Sequence, residues 1–286
     1  MKGSALICGT VRDVEKTIFK EVQNLDIVFS QAFDKYEYCI VESDSADCTI
    51  EQLYKLKKNF SNFNFLTLGA LENKIPSRVE RIAHCRNQYL DTLLNFFNSG
   101  RKIDHLVVID LDSINNKVRS SEFNRALSII SKNSNIGGVF PNQLGPYYDI
   151  YALRHSFWNP SNSSKVQSFY EESLGQDVFS AHLSSVLIKM ITIPPNIDSI
   201  EVESAFGGMA IYSAKFASKS KYDGKRECEH VAFNKGIRDM GKQLFILPFL
   251  INSGVNNHSF KRSFFYILYL LLRSKVKKIY GFILNK

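Results

Sequence analysis

The sequence predicts an α/β fold in which a mostly parallel central sheet is flanked by helices. The main observation is that short apolar runs rich in β-favouring residues alternate with longer amphipathic runs. Such alternation is typical of a parallel sheet, because each helix returns the chain to the same end of the sheet. The second observation is an ordinary globular composition, with 44% hydrophobic and 22% charged residues and no internal repeat. Predicted strands cover 5–10, 36–43, 63–69 and 105–112, and predicted helices cover 15–33, 49–60 and 77–100.

The longest predicted helix carries signals at both ends. Ser77 is a plausible N-cap, and Gly100 is a plausible C-terminal stop. The predicted strand 105–112 follows directly, so this part of the chain repeats the strand and helix alternation.

The pattern loosens after Asn142 into a stretch rich in aromatic residues, glycine and proline, which we predict to be a loop-rich second half that shapes a pocket. We find no clear linker. The simplest organisation is one domain over 1–258, with a first half at 1–140 and a second half at 141–258. Sheet-like patterns return at 186–193 and 204–216, a helix is predicted near 228–240, and a late strand at 243–252.

The basic character of the chain comes from its last 28 residues. The segment 259–286 contains seven basic residues and no acid, so the net charge of +8 leaves about +1 for the rest. A nearly neutral body argues against nucleic-acid binding, which needs basic residues over a docking surface.

The same segment contains the apolar run FFYILYLLL at 264–272, flanked by lysines and arginines. This run is too short to cross a bilayer, which takes about 20 residues. We expect a C-terminal amphipathic helix that lies on a membrane surface, with its lysines against anionic lipid. A helix packed on the domain and a dimer contact are the alternatives.

The start of the sequence lacks the long apolar region of a signal peptide, and its five cysteines are dispersed without zinc-site spacing. Both features favour a reduced compartment. We therefore expect a cytoplasmic protein, peripheral at the inner face of a membrane.

Two acids at the end of the strand HLVVI, Asp110 and Asp112, are the clearest functional signal. Ligands of parallel α/β sheets bind at the carboxyl ends of the strands. Two carboxylates one residue apart suit a hard divalent cation, Mg²⁺ or Mn²⁺, with phosphate oxygens completing its shell. The alternative is a pair of loop acids that cap a helix or pair with surface lysines.

The neighbouring segments strengthen the first interpretation, because the chain resembles the GT-A fold glycosyltransferases that use nucleotide-sugar donors. The resemblance covers most of residues 5–258 and rests on the order of its motifs. The matching segments are GTVRD, IVESDSADCT, RIAHCRNQYLDTLL, VVIDLDS, SAFGGMAIY, ECEHVAFN and NSGVNNHS. The segments YDIYALR, AFGGMAIY and CEHVAFN also resemble capsule-associated mannosyltransferases of fungi and bacterial surface-polysaccharide glycosyltransferases.

The resemblance implies a UDP- or GDP-linked sugar as the donor and a glycan or lipid-linked acceptor. It implies a nucleotide-binding half at 1–140 and an acceptor-binding half at 141–258. It implies a metal site at Asp110, Asp112 and His258, holding Mn²⁺ or Mg²⁺. Acceptor contacts are expected at Tyr148, Trp158, Gly207 and Gly208. Donor contacts are expected at Arg12, Glu42, Asp44, Arg81, Arg86, Asn87, Asp110, Leu111 and Asp112.

The catalytic base is expected at Glu229 if the reaction inverts the anomeric centre, since a carboxylate must then take the proton of the acceptor hydroxyl. Glu203 is a weaker substitute. The alternative for Glu229 is an acid that stabilises a helix N-terminus, and a retaining enzyme would not need this base.

Two other functions remain open from the sequence. A phosphatase of the haloacid-dehalogenase type would use Asp110 as its nucleophile, but that motif normally opens its domain and favours Thr two residues after the second acid. The second open function is that of a non-catalytic carbohydrate-binding protein with the same fold.

Overall fold

The structure is a computed structural model, and it describes residues 3–254 together with Leu272. His258 and, apart from Leu272, the predicted C-terminal amphipathic helix lie outside the described residues. Among the residues that are described, no helix has the length and apolar character needed to cross a membrane.

The first half of the chain forms the predicted parallel sheet. Its four strands lie in the order β3-β2-β1-β4, and all three pairings between them are parallel. The strands are β1 Ser4–Val11, β2 Lys35–Glu42, β3 Phe63–Thr67 and β4 His105–Ile109, and the helices between them are α1 Ile18–Ala32, α2 Thr49–Asn59 and α3 Arg78–Asn98. The strand and helix predictions for this half are confirmed.

The ends of α3 also agree with the sequence signals. The Ser77 side chain accepts a hydrogen bond from the Glu80 backbone N–H at 3.4 Å, which satisfies one of the free donors of the first turn. Gly100 follows the helix with a φ of +79°, a conformation that favours glycine.

The second half extends the same sheet to eight strands, in the order β3-β2-β1-β4-β7-β5-β8-β6. The strand β7 is antiparallel to both of its neighbours, and β6 is antiparallel to β8, so the sheet is mostly parallel but mixed. The additional elements are α4 Ser120–Lys132, β5 Ile136–Gln143, α5 Ser163–Glu172, α6 Val178–Ser185, β6 Ile200–Val202, β7 Met209–Ser213, α7 Ala214–Ala217, α8 Glu229–Arg238 and β8 Gln243–Ser253.

The sheet-like prediction for 186–193 is wrong. This segment contains a short 3₁₀ turn at Leu187–Lys189, and it follows two helices in the region predicted to be loop-rich. Its buried side chains are Val186, Met190 and Ile193, whose spacing of four and three residues is helical rather than alternating. Short apolar runs do not distinguish the two periods well.

The hydrophobic core covers both faces of the sheet. Successive β1 residues point to opposite faces, so Leu6 and Cys8 pack on one side while Ala5 and Ile7 pack on the other. Because β7 pairs with β4, both halves of the chain share one sheet, and the carboxyl ends of the parallel strands lie next to loops from the second half.

Candidate active site

A large cleft opens where the parallel strands end. It has a volume of about 1100 Å³ and is lined by loops that follow β1, β2 and β4 on one side and by the segment before α8 on the other. This is the position at which ligands bind in open α/β sheets. The cleft therefore agrees with the site predicted from the order of the strands.

The two predicted metal ligands occupy the loop after β4. Leu111 is buried between them, Asp110 is partly buried, and Asp112 is exposed at the cleft. The Asp110 backbone N–H donates to the Gly208 carbonyl at 2.9 Å, and the Asn115 side chain donates to the Asp110 carbonyl at 2.8 Å. The loop is thus tied to the neighbouring strand segment rather than only to its own helix.

Glu21 on α1 supports the same loop from the other side. Its carboxylate accepts hydrogen bonds from the backbone N–H groups of Ser113 at 2.6 Å and Asn115 at 3.1 Å. Burial raises the pKa of Glu21 to about 7, although these two hydrogen bonds lower it.

Arg86 joins the two halves of the site. Its guanidinium is buried on α3, where Nε donates to Glu229 Oε1 at 3.0 Å and Nη2 lies 3.3 Å from Asp110 Oδ1. The guanidinium also lies over the rings of Phe206 and Tyr222, at 5.1 and 5.7 Å from their centroids. Arg86 therefore links Asp110, in the loop after β4, to Glu229, at the start of α8.

Several carboxylates surround the Arg86 guanidinium in the cleft. Burial raises the pKa of Asp110 to about 7; Arg86 opposes this shift, while the charges of Asp112, Asp149 and Glu229 add to it. Burial also raises the pKa of Asp149. A bound cation would relieve this repulsion.

The chemistry of Asp110 and Asp112 fits a hard divalent cation, since carboxylate oxygens are the ligands that Mg²⁺ and Mn²⁺ prefer. Within residues 3–254, no group of three or more potential side-chain ligands is arranged around one point. Further ligands would have to come from the donor phosphates or from His258.

Three of the other predicted donor residues line the cleft. Arg12 is about half exposed and pairs with Asp13 and Glu72. Asp44, at a φ of +61°, pairs with Arg81, whose guanidinium also donates to two backbone carbonyls. These contacts place charged groups at the end of the cleft nearest to β1 and β2.

Glu42 and Asn87 have other partners. Both carboxylate oxygens of Glu42 accept hydrogen bonds inside the protein, from the Thr67 hydroxyl and from the Ser45 N–H. The Asn87 side chain clamps the backbone of Tyr222, donating to its carbonyl at 3.0 Å and accepting from its N–H at 3.1 Å. Neither side chain lines the cleft, so this geometry gives their predicted donor contacts no support.

The predicted acceptor residues divide in a similar way. Tyr148 lines the cleft. Trp158 instead donates from Nε1 to the Lys189 carbonyl at 2.6 Å and packs edge-on against Tyr147, so it is used in packing away from the cleft.

Gly207 and Gly208 hold the acidic groups from behind the cleft. The Gly207 N–H donates to Asp149 Oδ2 at 2.9 Å, and the Gly208 carbonyl accepts from Asp110 and Asn115. Both glycines have positive φ, +67° and +89°. They position Asp149 and Asp110, which is a different role from the predicted acceptor contact.

Several cleft residues were missed by the sequence analysis. Asp149 has no strand-end or paired-acid signal, and His230 follows Glu229 on a helix. His230 is 2% exposed and stacks on Phe206 at 3.8 Å, and neither ring nitrogen has a hydrogen-bond partner among the described residues. Burial lowers the pKa of His230 well below its usual value. Three unpredicted cations also line the cleft: Arg78, Lys225 and Arg226.

The fold matches solved structures of sugar-transferring enzymes. The mannosyltransferase PcManGT from Pyrobaculum calidifontis, solved with GDP-Man and Mn²⁺, superposes with a TM-score of 0.50 at 14% sequence identity. The match covers 98% of this chain and 64% of that one. The chain has the GT-A fold. The predicted fold class is therefore confirmed, and the chain spans less than two thirds of the length of that mannosyltransferase.

Two further structures show lower similarity. TarS 1-349 from S. aureus, in complex with UDP-GlcNAc, gives a TM-score of 0.49 at 12% identity, covering 91% of this chain and 59% of that one. Glucosyl-3-phosphoglycerate synthase from Mycobacterium tuberculosis, in complex with UDP, gives 0.44 at 12% identity, covering 93% and 75%. No family model matches the sequence. No curated protein matches it.

Replacing Gly208 with alanine should destabilise the protein beyond the cost of its backbone conformation. A Cβ there would lie 2.6 Å from Ile114 Cγ2, whereas a Cβ on Gly241, at a φ of +74°, would meet nothing within 4 Å. We expect Gly241→Ala to lower the free energy of unfolding by about 1 kcal/mol and Gly208→Ala by about 2–4 kcal/mol. Denaturant unfolding measures the free energy of unfolding of each variant. Equal decreases in the two variants would show that Gly208 is needed only for its φ.

Proposed function

We propose that this protein is a metal-dependent glycosyltransferase. It would transfer a sugar from a nucleotide diphosphate to a glycan or lipid-linked acceptor during the synthesis of a surface polysaccharide such as a capsule or O-antigen. The observation that carries this proposal is the buried Arg86 bridge between Asp110 and Glu229, which lies in a cleft at the strand ends of a GT-A fold.

The metal would be held by Asp110 and Asp112, with His258 as a further ligand from outside the described residues. When bound, Mn²⁺ or Mg²⁺ supplies a Lewis acid that neutralises charge developing on the leaving diphosphate. The protein's own contribution is to hold both carboxylates at the strand end through Gly208, Asn115 and Glu21.

Charged groups at the end of the cleft nearest to β1 and β2 would orient the donor. Arg81 and Asp44 form a pair near the loop after β2, and the resemblance to GT-A enzymes assigns the base and ribose to this region. Arg86 faces the metal loop, so its positive charge acts on the same phosphates as the metal.

Proton transfer from the acceptor hydroxyl is assigned to Glu229 for an inverting reaction. Its Oε1 accepts a hydrogen bond from Arg86 at 3.0 Å, and its Oε2 accepts one from the Cys228 thiol at 3.6 Å. Asp149 is a second carboxylate at the cleft, partly buried and anchored by the N–H groups of Gly207 and Ala152. Tyr148 provides an aromatic surface for the acceptor sugar.

The phosphatase and lectin alternatives have less support. The GT-A fold match disfavours a haloacid-dehalogenase-type phosphatase, and the carboxylate that would be its nucleophile is paired with Arg86. A lectin would not require an arginine that links a metal loop to a second acid. Binding and hydrolysis assays separate these cases.

Removing Asp112 should abolish metal-dependent donor binding. We expect the wild type to bind one class of UDP or GDP sugar more than about ten-fold more tightly with Mn²⁺ than with a chelator, and Asp112→Ala and Asp112→Asn to lose this enhancement. Calorimetric titration with a panel of nucleotide sugars measures the effect.

The matched control is Asp91→Ala, which removes an exposed acid of α3 that does not line the cleft. Its donor affinity should equal that of the wild type. Wild-type protein that binds no nucleotide with Mn²⁺ but hydrolyses simple phosphate esters would replace this proposal with the phosphatase.

Glu229→Gln should separate donor binding from chemistry. Because glutamine cannot take a proton, we expect the rate of transfer, measured as labelled sugar released from the donor to water or to a membrane extract, to fall by about 10²-fold or more. Donor affinity should change little. Glu203→Gln, at an exposed acid outside the cleft, is the control. Transfer that survives in Glu229→Gln but is lost in Asp149→Asn would move the base to Asp149.

The basic segment 259–286 would hold the enzyme at the inner face of a membrane, where a lipid-linked acceptor is available. We expect the full chain to sediment with phosphatidylglycerol vesicles but not with phosphatidylcholine vesicles, since each lysine near an anionic surface contributes about 1 kcal/mol. Truncation after His258 and the full-length variant K275Q/K277Q/K278Q should both reduce sedimentation strongly. A truncated protein that still sediments would contradict the role of the tail.

A further inference from the structure

Three exposed cations at the cleft rim have no ionic partner within the part of the chain that the structure describes. Arg78, Lys225 and Arg226 line the cleft, and none of them forms an ion pair with any residue of the described range 3–254. We call these three residues the rim cluster. Like charges held close together repel one another, and a bound anion would relieve that repulsion. The rim cluster therefore favours an anionic ligand.

The fold brings the rim cluster together by close backbone contact. Gly224 packs directly on the first turn of α3, where a Cβ would lie 2.4 Å from the Val79 carbonyl oxygen. Two residues earlier, the backbone of Tyr222 is clamped by Asn87 of the same helix. The segment that carries Lys225 and Arg226 is therefore fixed beside Arg78 at the N-terminus of a 21-residue helix, whose dipole adds positive potential.

The other cations of the cleft are compensated by acids. Arg81 pairs with Asp44, and Arg86 pairs with both Asp110 and Glu229. Of the acids close to the rim cluster in sequence, Glu227 pairs with Arg154, and Asp223 Oδ1 accepts the Lys225 backbone N–H at 3.0 Å. Within residues 3–254, neither of these acids nor Glu80 forms an ion pair with the rim cluster. The unpaired positive charge is thus confined to the rim.

We propose that the rim cluster binds a phosphate group of the acceptor. This inference rests on the proposed function, in which the donor diphosphate is met by Asp110, Asp112 and their metal deeper in the cleft. Two arginines and a lysine at a helix N-terminus match the geometry and charge of a phosphate. The acceptor is then either a lipid diphosphate that carries the glycan or a soluble sugar phosphate.

The test titrates full-length protein with three probes: farnesyl diphosphate, glucose 1-phosphate and the uncharged methyl glucoside. Each titration is made twice, once without additives and once with Mn²⁺ and a saturating nucleoside diphosphate. In the second case the donor site is filled, so the phosphate probe cannot bind there. The variant R78Q/K225Q/R226Q removes the rim cluster. The control variant K132Q/K219Q/K221Q removes the same charge from exposed lysines that do not line the cleft.

We expect the wild type to bind at least one phosphate probe and not the methyl glucoside, and we expect the rim variant to weaken this binding by about ten-fold or more. The control should change it less than about two-fold, and donor affinity should be equal in all three proteins. The probe that binds best identifies the lipid or the soluble source.

Three results would overturn the inference. Loss of donor affinity in the rim variant would assign the cluster to the donor diphosphate. Equal phosphate binding in the rim and control variants, or none in the wild type, would remove the site. Loss of phosphatidylglycerol vesicle binding alone would assign the cluster to the membrane surface. Failure of the wild type to bind any nucleotide sugar would refute the proposed function separately, because the probe titrations do not depend on it.

Discussion

The buried guanidinium of Arg86 is the constraint on which the rest of the site depends. A buried cation is stable only when it is paired, and here its partners are Asp110 from the loop after β4 and Glu229 from the start of α8. Three elements from distant parts of the chain must therefore meet at one point. Two carboxylates face one guanidinium, so Arg86 keeps one ionic partner when either acid is neutralised, whereas loss of Arg86 would leave both acids without it.

A second network of hydrogen bonds holds the loop after β4. Gly208 accepts from Asp110, Asn252 donates to Gly207, and Asn115 connects the two segments. Glu21 closes the network from α1. All but one of these hydrogen bonds involve backbone groups, the exception being Asn252 Nδ2 to Asn115 Oδ1, and buried polar groups are costly without partners. The positive φ of the two glycines is the conformation that directs their N–H and carbonyl groups to Asp149 and Asp110.

Much of the first half of the fold was predictable because its signals are local. The buried run of β4 followed by two acids predicted a ligand site that the structure places at the cleft, and strand and helix periods gave the order of the first seven elements. The strand β5 was missed because its sequence IGGVFPNQ contains glycine and proline, which are unfavourable in isolated strands. Glu42 and Asn87 were assigned to the donor from motif order, yet their side chains bond inside the protein. Motif order does not specify which side of a strand or helix faces a ligand.

Periodicity, capping and charge are read over short distances, so the residues alone were enough to predict the mostly parallel α/β class, the caps of α3, the acids at the end of β4 and a basic segment 259–286 beside a nearly neutral remainder. The folded structure was needed to show that Asp149 and His230 line the cleft, that Trp158 packs away from it, and that Arg78 lies beside Lys225 and Arg226. Each of these facts depends on contacts between residues far apart in the chain. Burial, pairing and convergence arise only when the antiparallel strand β7 joins the two halves into one sheet.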